Sequence, residues 1–299
     1  MKAPKYLSIL SLAVIGALYG TSQAWATPLL GSDLASFAVL GATPSVTNTG
    51  ATTLTGDVGV SPAASITGQS TLTVNGINAL LNPGDVHLND ATASLAQSQL
   101  ATAMTNLGLL GPGTLLSADL AGLTLYPGIY TVPAGVSNLT GALTLDGLGN
   151  ANAAWVFQMP STLITSPGAM VNVINTGTGA GVYWNVGSSA TLDTSTSFEG
   201  NILALASITL NHAATIACGR ALAHTATVTM DNNTINAIDC MGTGEGGSNG
   251  LSGGLDVITT PSGAPGVGFL PYAAVPEPAT LALLGLGFAG LGLSRRRHG

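Results

Sequence analysis

Between Tyr183 and Ala237 apolar and small polar residues alternate in short bursts, and the bursts recur. The segment divides into three lines: YWNVGSSATLDTSTSFEG, NILALASITLNHAATIACG and RALAHTATVTMDNNTINA. Trp184, Leu203 and Leu222 are spaced 19 apart, as are Gly200 and Gly219. Ala190, Ile208 and Val228 form one apolar column; Leu192, Leu210 and Met230 form a second, and Phe198, Ile216 and Ile235 a third. Side chains alternate across a strand, so each column predicts an inward-facing stack and each line one coil of three short strands. Repeats of about 20 residues of this form indicate a solenoid, in which each coil needs neighbours to bury its apolar side. An earlier line, WVFQMPSTLITSPGAMVNVIN from Trp155, has the same three-part form, with TGTGAG inserted after it. Near the start, FAVLGATPSVTNTGATTLTGDVGVSPAASITGQSTLTV gives further short strands with turns between them.

One segment departs from this pattern. Asn89 to Leu107, NDATASLAQSQLATAMTNL, has no glycine or proline. Asn89 or Asp90 supplies an N-cap, and Gly108 follows the last apolar residue. Ala96, Leu100, Ala103 and Leu107 share one helical face, which predicts a single long helix packed along the side of the solenoid. After it, LTLYPGIYTVPAG returns to strand. Residues 242–274, beginning GTGEGGSNGLSGG, read as a flexible linker.

The two ends have their own patterns. Residues 1–26 have a basic start (Lys2, Lys5), an apolar run from Leu7 to Leu18 and the cleavage form Ala24-Trp25-Ala26. This predicts a signal peptide and a mature chain starting at Thr27. At residues 275–299, Val275-Pro276-Glu277-Pro278 precedes an apolar stretch from Ala279 to Leu293 and then Arg295, Arg296 and Arg297. These three parts, in this order, resemble the PEP-CTERM sorting signal of Gram-negative bacteria. The resemblance implies a short membrane-engaging stretch, a sorting protease as partner, and cleavage near Pro276, Glu277 and Pro278. It also implies release or attachment outside the cell.

Composition narrows the chemistry of the body between these ends. Only 6% of the 299 residues are charged, 46% are hydrophobic and 41 are glycine. Disorder goes with low hydrophobicity and high charge, so this chain folds. Between the two terminal segments Arg220 is the single lysine or arginine, against twelve carboxylates, a net charge of −11 with histidine neutral. A nucleic-acid partner needs a basic footprint that this body lacks. Two cysteines, Cys218 and Cys240, in an exported chain predict one disulfide. No G-x-S-x-G, H-E-x-x-H or phosphate loop with lysine occurs, so no enzyme, metal or cofactor is expected. Asp193, Asn211 and Asp231 fall at one strand end and read as a solvated turn ladder. His87, His212 and His224 are scattered.

FAVLGA, TNTGATTLTGDVGVSP, GLTLYPGIYTV, WVFQM, VGSSATL, FEGNILALASITLN, GRALA and TVTMDNNTI occur in this order and span about residues 32 to 238. Together they resemble the microbial ice-binding-like β-solenoid family. The resemblance implies a mainly β domain over residues 27–241. Its expected form is a discontinuous right-handed parallel β-solenoid of triangular section with one long helix alongside, in which N- and C-terminal segments intercalate. It also implies adsorption to ice through a Thr-Ala/Gly-x-Thr/Asn face. Thr49-Gly50-Ala51-Thr52 matches that motif in full, and His212-Ala213-Ala214-Thr215 matches all but its first position. The expected face is Thr49, Thr52, Ser65, Thr67, Thr194, Ser197, Thr215 and Thr234. Glu199 and His212 interrupt it. Such residues suit ice because threonine offers a methyl and a hydroxyl on a rotamer-poor side chain without a tightly held hydration shell. The competing expectation, which the sorting signal suggests equally, is a surface or biofilm-matrix protein that binds exopolysaccharide.

Overall fold

The structure is a computed structural model that describes residues 27–238, 249–259 and 265–275. The expected signal peptide, Cys240, and Pro276, Glu277 and Pro278 with the apolar stretch behind them lie outside these residues. Among the described residues no helix is long and apolar enough to cross a membrane.

The chain is mainly β, with three sheets of parallel strands and one long helix. Each coil gives one strand to each sheet in turn. Gly181–Val186 belongs to the first sheet, Ala190–Leu192 to the second and Ser197–Glu199 to the third. Asn201–Ala204, Ile208–Leu210 and Thr215–Cys218 make the next coil, and Ala221–Ala223, Val228–Asp231 and Thr234–Asn236 the one after. These are the three lines of the sequence pattern. Ala190, Ile208 and Val228 stack in register, as do Leu192, Leu210 and Met230, and Phe198, Ile216 and Ile235. All nine are buried.

The 19-residue spacing of Trp184, Leu203 and Leu222 does not make a stack. Trp184 pairs with Ile202, and Ile202 with Ala221. Leu203 and Leu222 sit one residue further on, and a one-residue shift moves a side chain to the other face of its strand. Trp184 therefore points inward, stacked on Phe157 at 3.9 Å between ring centroids. Leu203 and Leu222 point outward under the helix.

The coils do not stack in sequence order. After the coil that ends at Asn236, the next strands in space come from the start of the chain. Ala221–Ala223 pairs with Phe37–Gly41, Val228–Asp231 with Val46–Thr49, and Thr234–Asn236 with Thr52–Thr55. The solenoid is discontinuous, as the family resemblance implied.

The helix spans Ala91–Leu109, with Asp90 as its N-cap accepting from the Ala93 N–H at 2.8 Å. Gly108 lies inside its last turn. Ala96, Leu100, Ala103 and Leu107 are fully buried on Leu40, Val156, Tyr183, Leu203 and Leu222, so the helix covers the outer face of the first sheet. Gln97 donates from Nε2 to the carbonyls of Gly41 (2.9 Å) and Ala223 (3.1 Å), across the seam where the two ends of the chain meet.

Within the expected linker over 242–274, the described residues are folded onto the body. Leu255–Thr259 and Pro265–Phe269 form an antiparallel hairpin that Thr27–Pro28 extends to three strands. Leu251 and Leu255 are buried. The glycines that suggested flexibility serve close packing: a Cβ on Gly253 would stand 2.3 Å from the Gly179 carbonyl oxygen.

Arg220 is completely buried, and among the described residues its hydrogen bonds include no carboxylate partner. It donates to the carbonyls of Ala35, Ala237, Asn249 and Gly250 and to Asn201 Oδ1, so one side chain joins the N-terminal segment, two coils and the C-terminal segment. Burial pushes its guanidinium down to about 10. Cys218 is buried and not free.

Candidate functional site

With the first sheet covered by the helix, the second and third sheets carry the open faces. Outward residues of the second sheet alternate with its buried ones. Thr191, Thr209, Thr229, Thr47 and Thr67 stand in one unbroken row, each paired in register with the next. Just ahead of each strand, two residues before its threonine, lies a second hydroxyl row: Ser189, Ser207, Thr227, Ser45 and Ser65. Every strand thus repeats hydroxyl–apolar–threonine, with the apolar residue (Ala190, Ile208, Val228, Val46 or Ile66) turned into the core. Parallel strands lie about 4.8 Å apart and rise about 3.3 Å per residue, so the hydroxyls form a grid of roughly 4.8 by 6.6 Å.

The pairing within this sheet has no register shift. The earlier row is partly tied down: Ser207 Oγ donates to Ser189 Oγ at 2.9 Å, Thr227 Oγ1 donates to the Ser45 carbonyl at 2.6 Å, and Ser45 and Thr47 share a 3.3 Å hydroxyl contact. The hydroxyls of Thr191, Thr209, Thr229 and Thr67 take no hydrogen bond from the protein among the described residues, which leaves them to water. At one end of the row Ile164 takes the threonine position beside Thr191.

The eight expected residues do not share one face. Ser65 and Thr67 lie on the second sheet, exposed, and Thr49 ends its strand at the sheet margin beside Asp231. Ser197, Thr215 and Thr234 are brought together, but on the third sheet, where they continue to Thr53 and Thr73. Thr194 lies exposed in the corner between the two sheets.

Thr52 is buried, against expectation. Thr234 pairs with Thr53, not Thr52, so Thr52 turns inward and accepts from the Asn233 N–H at 3.1 Å. The corner after Thr49 holds one more residue than the corner after Asp231, and that extra residue exchanges the faces. The residues missed were Thr47, Thr191, Thr209 and Thr229. Their signal was the Ser/Thr-x-Thr tripeptide around apolar positions already recognised as inward.

The third sheet is a poorer surface. Its row runs from Ala142 through Met170, 41% exposed, to Ser197. Its register shifts at Asp146/Asn150 and again at Phe198/Glu199. Glu199 accepts from the Val173 N–H at 2.9 Å, which holds a carboxylate on that face.

The corner between the two sheets explains the local sequence. Ser195, Ala213, Asn232 and Gly50 all have φ between +55° and +76°, one left-handed residue in each coil. The second position of each motif is thus set by the turn, and small residues, asparagine and glycine suit it best. Inside the corner, Asn233 donates from Nδ2 to the carbonyls of Asn211 and Ala214, both at 2.9 Å, and its Oδ1 accepts from the Asp231 N–H at 2.6 Å. Thr165 and Thr196 share a 2.8 Å hydroxyl bond one step along. On the outside, Asn211 donates to Asp193 at 2.9 Å, and this bond first of all holds the Asp193 carboxyl below the usual range. His212 meets Asp231 at 3.2 Å. Among the described residues no cluster of side chains suits a metal ion.

Comparison with known proteins agrees with this architecture. An "Ice-binding protein" of Nostoc sp. (strain HG1) is 42% identical over 233 residues, covering 78% of this chain and 82% of its own length. One from Flavobacterium frigoris (strain PS1) is 30% identical over 215 residues, covering 67% and 73%. Among solved structures, an ice-binding protein from an Antarctic biological consortium superposes with a TM-score of 0.62 at 40% identity, over 70% of this chain and 91% of its own. Another from the ascomycete Antarctomyces psychrotrophicus gives 0.63 at 35%, over 72% and 99%. A PEP-CTERM protein-sorting motif matches residues 274–297, which marks the chain for export to the surface or exterior of a Gram-negative cell. The profile described as ice-binding-like matches residues 40–236, which span all three sheets and the helix, and the chain belongs to the ice-binding-like family.

Proposed function

We propose that the protein adsorbs to ice through the outer face of the second sheet, without cofactor or catalysis. The observation that carries this reading is the pair of hydroxyl rows, Ser189 to Ser65 and Thr191 to Thr67, held in one register. Ice is a rigid, neutral lattice, so its binder gains from a rigid, neutral array. The β-branched threonines have few rotamers to lose, and their methyl and hydroxyl groups order a shared water layer. Each site contributes little, and affinity arises because many engage at once. Ser65 and Thr67 keep the role expected of them, Thr49 borders the array, and Thr47, Thr191, Thr209 and Thr229 join it. The names of the relatives support the same partner.

The test is microscopy of ice growth in the presence of the purified protein. Faceted or arrested crystals are expected. Growth identical to that in buffer would end the reading.

The sorting motif favours a second reading, a matrix protein that binds exopolysaccharide. It predicts retention on the producing cell's own polymer with no change in ice growth. We also infer right-handed winding, because parallel crossovers are overwhelmingly right-handed, and a triangular section from the three sheets. A Cys218–Cys240 bridge would stabilise the last coil by about 3 kcal/mol on the loop-closure argument. Alkylation with and without reductant reads it as a mass difference. Mass spectrometry of the exported protein tests removal of both terminal signals.

A further inference from the structure

The C-terminal arm is fixed to the body up to the edge of the sorting motif. Leu270 N–H donates to the Gly254 carbonyl (2.9 Å), Asn152 Nδ2 to the Pro271 carbonyl (3.0 Å), Ala273 N–H to Asn150 Oδ1 (3.0 Å) and Val275 N–H to the Gly149 carbonyl (2.9 Å). Asn150 and Ala274 form an antiparallel bridge. The matched sorting motif spans residues 274–297, so the contacts of Ala274 and Val275 fall within its first two residues. The described chain is thus tied to the body as far as Val275, and that place is where it leads toward the sorting end.

That place is the corner where Ala142–Asn150 of the third sheet turns into Ala154–Met159 of the first. A coil visits the first, second and third sheets in turn, so this corner is the one that the second sheet does not touch. The hydroxyl face and the corner that holds Val275 therefore lie on different sides of the body. The surfaces differ in chemistry too. Around the attachment point Leu148 (60% exposed), Tyr272 (67%) and Val275 (37%) stand open beside Asp146, whereas no exposed large apolar residue belongs to the second sheet. Amphipathic aromatic and apolar groups suit the boundary of a lipid layer.

We propose that the protein works attached. Held at the cell envelope by its C-terminal end, it lays the Leu148–Tyr272–Val275 corner against the envelope and turns the Thr191-to-Thr67 row outward, so that it fastens the cell to ice. The proposal rests on the ice-adsorption reading above and adds orientation and attachment to it.

The experiment uses the full chain expressed in a Gram-negative host that sorts PEP-CTERM proteins. Thr209→Cys, on the hydroxyl face, and Leu148→Cys, at the attachment corner, are each probed on intact cells with a bulky, membrane-impermeant maleimide. Thr209→Cys is expected to label readily and Leu148→Cys to be protected, with that protection lost once the protein is released in detergent. In parallel, cells carrying the unmodified chain are expected to be captured by an advancing ice front, and cells carrying Thr209→Tyr to be left in the liquid. Equal labelling of the two positions on intact cells overturns the orientation. A chain found only in the medium overturns attachment. If the purified chain shapes ice but its cells are not captured, this proposal fails while the adsorption reading stands. If the purified chain leaves ice unchanged, the adsorption reading fails and the fastening role with it, whatever the labelling shows.

Discussion

Thr229 stands directly beside Thr47 in the second sheet, although 182 positions separate them along the chain. One belongs to the last coil and the other to the N-terminal strands. Their pairing makes the hydroxyl row continuous: three of its threonines come from the C-terminal half and two from the N-terminal segment. The row depends on the discontinuous stacking of the fold as much as on the repeat.

The two open faces are separable by a bulky side chain. Thr209→Tyr, inside the row between Thr191 and Thr229, should abolish crystal shaping, while Thr215→Tyr on the third sheet should leave most of it. Both positions face outward between buried neighbours, so circular dichroism and melting should stay close to those of the parent. The reverse ranking by ice microscopy would move the binding face to the third sheet.

Arg220→Met should weaken the fold severely. Methionine fills much of the space but leaves the carbonyls of Ala35, Ala237 and Gly250 without their Arg220 donor, while Asn249 keeps the Ser252 hydroxyl at 2.7 Å. A buried polar group left unpaired costs about 1–3 kcal/mol, and several are orphaned at once, so a loss above about 3 kcal/mol is expected. The midpoint of urea unfolding measures it. A shift near zero would mean that these carbonyls find other partners.

Asn233→Leu removes both donors and the acceptor from the corner between the second and third sheets. A cost of about 2 kcal/mol is expected, read as a lower melting temperature. Well below that temperature the hydroxyl rows remain in place, and crystal shaping should persist. Loss of shaping at full fold would show that the corner bonds also keep the face flat.

Acid should destabilise the protein, and Asp119 supplies part of the reason. The hydroxyl of Thr140 donates to its carboxylate at 2.6 Å, and the N–H groups of Ala121 and Thr140 add to it. These bonds, the hydroxyl first, hold the carboxyl below its ordinary value. A depressed folded-state pKa gives stability that is present above the unfolded value and lost as pH falls through the folded one. The melting temperature should therefore drop as the pH falls below about 4, and Thr140→Val should make that drop shallower. An unchanged acid slope in Thr140→Val would assign the loss to other carboxylates.

Much of the architecture was legible because the apolar columns are strictly periodic. Ala190, Ile208 and Val228 marked the inward side of the second sheet, and the run from Ala96 to Leu107 marked the helix. What escaped was register at the corners. Trp184 and Leu203 share a spacing but not a face, and Thr52 and Thr53 exchange roles because one corner holds an extra residue. Coils of 18 and 19 residues look alike in sequence, yet a single residue decides which side chains meet water. The fold-back of Leu251 and Leu255 escaped for another reason: glycine-rich composition describes a mobile linker and a closely packed one equally well.

The seam of Thr229 and Thr47 also sets a timetable. A chain made and exported from its N-terminus delivers Val46–Thr49 first and Val228–Asp231 near the end, so the early strand waits for its partner through most of synthesis. Contacts between distant segments are slow to form, because the loop between them must be closed before they reward it. A chain that stops short of Val228 has the components of the face but never the face itself. On the proposed reading, engagement of a crystal is thereby reserved for molecules whose synthesis has passed Val228–Asp231.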